Sequence, residues 1–175
     1  MYTILMPVDE SEECAVAQSE TVLDLPAGAD QMLVYLLHVS DTALQSNDVS
    51  IEDTPGGEVA FERLTDAGIA VETMLRGGDP AEIIIECADQ VSADMILLGG
   101  RKRSPLGSLL FGSVSQAVTL DATQPVTITG QAEQVDPPSH RCQNCGRKYY
   151  LDPAQEVASC NKCGGVNVEA LTEGA

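Results

Sequence analysis

Four cysteines, Cys142, Cys145, Cys160 and Cys163, stand as two Cys-x-x-Cys pairs separated by fourteen residues, in a chain with two other cysteines. Two such knuckles bring four thiolates to one ion, the tetrahedral sulfur shell that Zn²⁺ favours. Gly146 and Gly164 each follow the second cysteine of a pair, where the chain must turn sharply and a residue free to take positive φ is wanted. The alternative, two disulfides, needs an oxidising compartment. Met1 is followed by Tyr-Thr-Ile-Leu-Met-Pro, with neither the basic nor the apolar region of a signal peptide, so a cytoplasmic setting and a bound metal are expected. A single iron fits the same four sulfurs and is the second expectation after zinc.

The segment from Arg141-Cys-Gln-Asn-Cys-Gly to Ser-Cys-Asn-Lys-Cys-Gly-Gly165 resembles zinc ribbons and also short rubredoxin-like modules. Rubredoxins usually place Pro after the third cysteine. Asn161 stands there in this chain, which puts zinc first.

Charge divides the chain. Its 175 residues hold 27 acids against nine bases, a formal −18, with three lysines in all. Such a surface repels nucleic acid, and an acid-rich, lysine-poor composition resembles that of salt-loving microorganisms, where salt screens self-repulsion. Residues 1–130 carry 21 acids and five bases, whereas residues 139–175 carry four of each. This shift predicts a first domain over 1–130 and a ribbon domain over 139–175. Between them, 131–138 reads as a short stiff linker around Asp136-Pro137-Pro138. A domain below about 40 residues seldom folds without a staple, so metal binding and ribbon folding are expected to be one event. No apolar run is long enough to span a membrane.

In the first domain, residues 2–8, 31–39 and 94–98 are near-continuous apolar runs of strand length, as in a parallel sheet covered on both faces. Weaker strands are expected over 69–75 and 125–129. Helices are expected over 11–25, over 58–67 after Pro55-Gly56-Gly57, and from Asp79-Pro80-Ala81-Glu82, where Asp79 suits a cap and Pro80 the first turn. Ile83, Cys87 and Val91 recur every four residues, which makes Cys87 a core residue, and Cys14 is read the same way. The order βαβαβαβαβ predicts a five-stranded, parallel, doubly wound α/β sheet. Ligands of such sheets sit beyond the carboxyl ends of the strands near the switch in strand order. Pro7-Val8-Asp9, His38-Val39 and Gly99-Gly100 fall there.

Gly99 opens a glycine-punctuated loop that runs to Ser115 and enters a helix near Ser113. Backbone N–H groups of such a loop and a helix N-terminus suit a phosphate. Arg101, Lys102 and Arg103, three of the five bases of residues 1–130, stand in this loop. A capping box from Ser113 to Gln116 is expected at the helix start.

Met6-Pro-Val-Asp9, His38-Val39, Gly78-Asp-Pro-Ala81, the loop from Gly99 to Ser115 and Pro125-Val126 together resemble the universal stress protein family over essentially all of residues 1–130. The resemblance implies an adenine-nucleotide alpha-hydrolase-like fold and homodimerisation, often through the last strand. It also implies bound ATP or another adenine nucleotide. Nucleotide-binding members carry Gly-x2-Gly-x9-Gly-Ser/Thr; the matching string here is Gly99-x2-Lys102-x9-Gly112-Ser113, with Lys102 in place of the second glycine. The resemblance places Asp9 and Val39 against adenosine, and Gly99, Arg101, Gly112, Ser113, Val114 and Ser115 around ribose and phosphates. Lys102 either obstructs the phosphate or meets it as a point charge.

Two functions follow. One is a cytoplasmic, nucleotide-binding stress-response or regulatory protein whose zinc ribbon meets a protein partner. The other is a dimeric scaffold that binds no nucleotide and works through its ribbon. An enzyme is disfavoured, because no Ser-His-Asp, paired-carboxylate or Walker pattern stands out. His38 reads as a packed or hydrogen-bonded strand-end residue, and His140 as an exposed neighbour of the ribbon. Arg141, Arg147, Lys148 and Lys162 with Tyr149 and Tyr150 suggest base stacking, a weaker expectation for a chain of this charge.

Overall fold

The computed structural model describes residues 1–40, 50–100, 112–130, 138–151 and 157–171. The chain divides into two compact units, within Met1–Val135 and Asp136–Ala175. Apart from Pro138, the expected linker lies outside the described residues.

The first unit is a five-stranded sheet of β1 (Tyr2–Pro7), β2 (Met32–Ser40), β3 (Ala70–Gly77), β4 (Met95–Gly99) and β5 (Val126–Thr129), in the order β3-β2-β1-β4-β5. All four pairings are parallel. Helices α1 (Glu12–Leu23), α2 (Pro55–Asp66), α3 (Pro80–Gln90) and α4 (Ser113–Asp121) connect the strands.

Successive strand residues point to opposite faces, so a strand covered on both sides must be apolar throughout. Ile4 and Met6 of β1 and Leu97 of β4 pack with Ala15, Val16 and Val22 of α1 and Val59, Ala60 and Leu64 of α2. Leu5, Ile96 and Leu98 face the other way, against Ile84, Cys87 and Ala88 of α3 and Val118 of α4. Cys87 is thus a core residue, as its helical spacing indicated.

Local capping sets the helix starts. Ser11 accepts from the Cys14 N–H at 3.2 Å, and Asp79 Oδ1 from the Ala81 and Glu82 N–H groups at 3.0 and 3.2 Å. Helix α2 begins three residues before the expected Glu58. Thr54 caps it, accepting from the Gly57 N–H at 3.2 Å, and Pro55 occupies the first turn, where a missing N–H costs nothing.

Helix α4 departs from expectation more consequentially. Gly112, not Ser113, is its N-cap, no side chain among the described residues caps the start, and Ser113 is the first helical residue. The expected Ser113–Gln116 capping box is absent. Serine and glycine both suit this position, and the backbone selects glycine.

The second unit is a three-stranded antiparallel sheet, β7-β6-β8, of β6 (His140–Cys142), β7 (Lys148–Tyr149) and β8 (Val168–Ala170). Among the described residues its core holds Cys142, Tyr149 and Cys160, with Leu151, Val157 and Val168 packed alongside. Among the described residues no helix is long and apolar enough to cross a membrane.

Candidate functional site

In the first unit, a cleft of about 630 Å³ opens at the carboxyl edge of the sheet, within the size range of small-molecule sites. β1 and β4 are adjacent, and the chain leaves them toward opposite sides of the sheet, which makes their ends the switch point. Asp9, Val39, Gly99, Gly112, Ser113, Val114 and Ser115 all line the cleft. Of the residues implicated by sequence, Arg101 and Lys102, with neighbouring Arg103, lie outside the described residues.

Each wall has a local cause. Asp9 Oδ1 accepts from the Ser11 N–H at 2.9 Å, turning the chain from β1 into α1. His38 Nδ1 lies 3.2 Å from the Val8 carbonyl and steadies the same turn, the hydrogen-bonded role expected of it. On the opposite wall, the start of α4 contributes Ser113, Val114 and Ser115. The first N–H groups of a helix lack intrahelical partners and carry partial positive charge. Gly112 has φ −67°, which any residue adopts, and nothing among the described residues lies within 4 Å of a Cβ built there. Neither backbone conformation nor packing against the described residues requires glycine at this point; among them its effect is to keep the helix start open.

Cys14 and Gln18 are among the lining residues that went unmarked in the sequence. Cys14, read as core, is buried but also borders the cleft. Gln18 is 1% exposed and donates to two main-chain carbonyls, Pro7 and Leu97, both at 2.9 Å. Its signal is a lone amide in the buried stripe of α1, between Cys14, Ala15 and Val22.

In the second unit, the four cysteine sulfurs lie within 4.8 Å of one another. Cys142 and Cys163 are 3.7 Å apart, and Cys145 and Cys160 are 3.6 Å apart. A tetrahedral ion with Zn–S bonds of about 2.3 Å sets its ligands about 3.8 Å apart, whereas a disulfide needs about 2.05 Å. All four are free thiols. The sulfurs therefore fit a metal ion.

The knuckles share one construction. The Cys142 N–H donates to the Arg147 carbonyl and the Gly146 N–H to the Cys142 carbonyl; the Cys160 N–H donates to the Gly165 carbonyl and the Gly164 N–H to the Cys160 carbonyl. Gly146 and Gly164 close the turns at φ +79° and +69°, the left-handed region that the sequence position called for.

Without a cation Cys160 and Cys163 are driven in opposite directions. Burial would raise Cys160, but hydrogen bonds from Tyr149 and the Cys163 and Lys162 N–H groups outweigh it and bring the thiol down to about 6. The Gly165 N–H favours ionised Cys163, yet neighbouring Cys145, burial, Cys142 and Cys160 together push it up to about 12. Negative charge gathered on the first thiolates opposes ionisation of the last, a conflict that a divalent cation relieves.

His140 corrects an expectation: it is buried, not exposed, and its Nδ1 lies 3.0 Å from Ser139 Oγ. The alternation of β6 puts it on the inner face with Cys142, while Arg141 faces out. Tyr149 and Arg147 are buried too, with the Arg147 guanidinium 5.3 Å from the Tyr149 ring centre. The Tyr149 hydroxyl lies 3.1 Å from Asn161 Oδ1, accepts from the Asn161 N–H at 3.2 Å and neighbours the Cys160 sulfur. Neither residue is placed to stack on a base.

A parallel sheet in this strand order, with a glycine-led helix start at its switch point, defines a doubly wound α/β protein of the adenine-nucleotide alpha-hydrolase-like kind. The chain belongs to the universal stress protein family, which matches residues 1–130. Stress response protein NhaX of Bacillus subtilis is 33% identical over 123 residues, 63% of this chain and 72% of that protein. A universal stress protein from Archaeoglobus fulgidus superposes with a TM-score of 0.55 at 29% identity, covering 74% of this chain and 98% of that one. The structure described as the A. fulgidus universal stress protein in complex with dAMP superposes with a TM-score of 0.52 at 24% identity, over the same shares of the two chains.

Proposed function

We propose that the first unit binds an adenine nucleotide, with ATP the expected occupant. Asp9 and Val39 face adenosine, and Gly99, Arg101, Lys102, Gly112, Ser113, Val114 and Ser115 surround ribose and phosphates. The observation that carries this reading is the start of α4, where a helix end that no side chain caps among the described residues borders the cleft and Gly112 leaves space before it. A helix N-terminus of this kind suits phosphate. The relative in complex with dAMP supports adenine as the base.

The protein then acts as a cytoplasmic stress-response or regulatory homodimer joined through β5, one of the two edge strands of the sheet order, since an open strand edge calls for cover. Cys142, Cys145, Cys160 and Cys163 hold one Zn²⁺, and the ribbon serves a protein partner. Residues 1–130 and 139–175 are its two domains.

Lys102 favours a second reading, a scaffold that binds no nucleotide, because it replaces a glycine of the nucleotide-binding motif. Calorimetry with ATP, ADP and AMP separates the two. The parent chain is expected to bind, and Lys102→Gln to weaken binding by about 1 kcal/mol, the scale of an exposed charge-assisted bond. Binding only after Lys102→Gly would make Lys102 a block and establish the scaffold. Binding by neither chain would end the nucleotide reading.

A further inference from the structure

The β1–β2 pairing runs to Pro7↔Leu37, but the β1–β4 pairing stops at Leu5↔Ile96. In that parallel register the next rung would carry the N–H of residue 7 to the Leu97 carbonyl. Residue 7 is proline and has no N–H. The ladder therefore ends early at the switch point, where the cleft lies, and leaves the Leu97 and Pro7 carbonyls without ladder donors. Buried carbonyls need partners, and Gln18 supplies both from one amide nitrogen, at 2.9 Å each.

We infer that Gln18 is a positioning residue for the cleft. Together with Pro7 it keeps the ends of β1 and β4 apart at a fixed separation, so that Asp9 and Gly99 stand on opposite sides of the split. The proline prevents the strands from zipping, and the glutamine ties each open end to α1. With Nε2 committed to the two carbonyls, Oε1 is left beside Gly99, 3.2 Å from where a Cβ on that residue would lie. Among the described residues Gln18 is the side chain that bonds both strand ends. This role rests on the nucleotide reading of the cleft.

The test is a double-substitution cycle in the full chain, with AMP affinity by calorimetry and the thermal midpoint measured together. Gln18→Leu removes the donor and should lower the midpoint and weaken AMP binding at least ten-fold. Adding Pro7→Ala gives residue 7 an N–H for the Leu97 carbonyl. The midpoint should largely recover while the affinity stays low, because the closed ladder narrows the split. Recovery of both together would reduce Gln18 to a structural prop and overturn the inference, as would a Gln18→Leu variant that binds AMP like the parent. If Gln18→Leu fails to fold, Pro7→Ala alone decides. It deletes no buried bond, should fold, and should bind AMP more weakly; parent-like affinity overturns the inference. A parent chain that binds no adenine nucleotide sinks the functional reading itself. In that event, amide exchange at Val8, Asp9 and Gly99 still judges the strand-end tie: no quickening in Gln18→Leu would refute it.

Discussion

The two units solve the problem of a core by different means. The α/β unit buries hydrocarbon on both sides of its sheet, with Ile4, Leu5, Met6, Leu36, Ile96 and Leu97 fully covered, and fully burying one such side chain contributes roughly 1.5–3 kcal/mol. Among its described residues the ribbon has three buried hydrophobic ones, and two of them, Cys142 and Cys160, belong to the four-sulfur cluster. Where ligands are also the core, removing the ion removes the core. The first unit should be indifferent to metal, and the second should exist only with it.

The largest expected effect tests that contrast directly. Chelation, or Cys160→Ser, should abolish the ordered fold of the ribbon, because the binding energy of a structural metal ion, about 10–16 kcal/mol where it is zinc, is folding energy. Amide resonances of residues 138–151 and 157–171 should collapse while those of β1–β5 persist. Loss of the sheet resonances as well would break the comparison. Acid should act in the same direction, since the ion replaces thiol protons, and elemental analysis across falling pH should show release.

A smaller effect is expected from the opposite side. Leu36→Ala, in the middle of β2 and fully buried, should cost the α/β unit about 2–5 kcal/mol, read from urea unfolding. The metal content should not change. Smaller again, Asp79→Ala removes the cap that holds the Ala81 and Glu82 N–H groups and should cost about 1 kcal/mol. A ribbon that weakens in either variant would show that the two folding equilibria are linked.

The sheet was legible because its strands are covered on both faces: residues 2–8, 31–39 and 94–98 have little choice of structure when every second residue faces a different helix layer. The sulfur cluster was legible because its spacing and glycines are local. What escaped depends on groups far apart in sequence. Gln18 looks like an ordinary helical residue until Pro7 and Leu97 are brought beside it. His140 looked exposed because the sequence does not reveal which face of β6 turns inward. At Gly112-Ser113 two good capping types are adjacent, and sequence alone favoured the one with a side chain. That choice mattered, since a serine cap would occupy the helix end that glycine leaves open.

In each knuckle the first sulfur is buried and the second exposed, Cys142 and Cys160 within, Cys145 and Cys163 without. A metal ion seated there has one sheltered hemisphere and one open to incoming ligands. Exchange can then proceed by attack from the open side, before the fold lets go. The rate of metal loss should rise with the concentration of the competing chelator instead of levelling off at the pace of unfolding, so a metal held tightly at equilibrium can still be traded quickly.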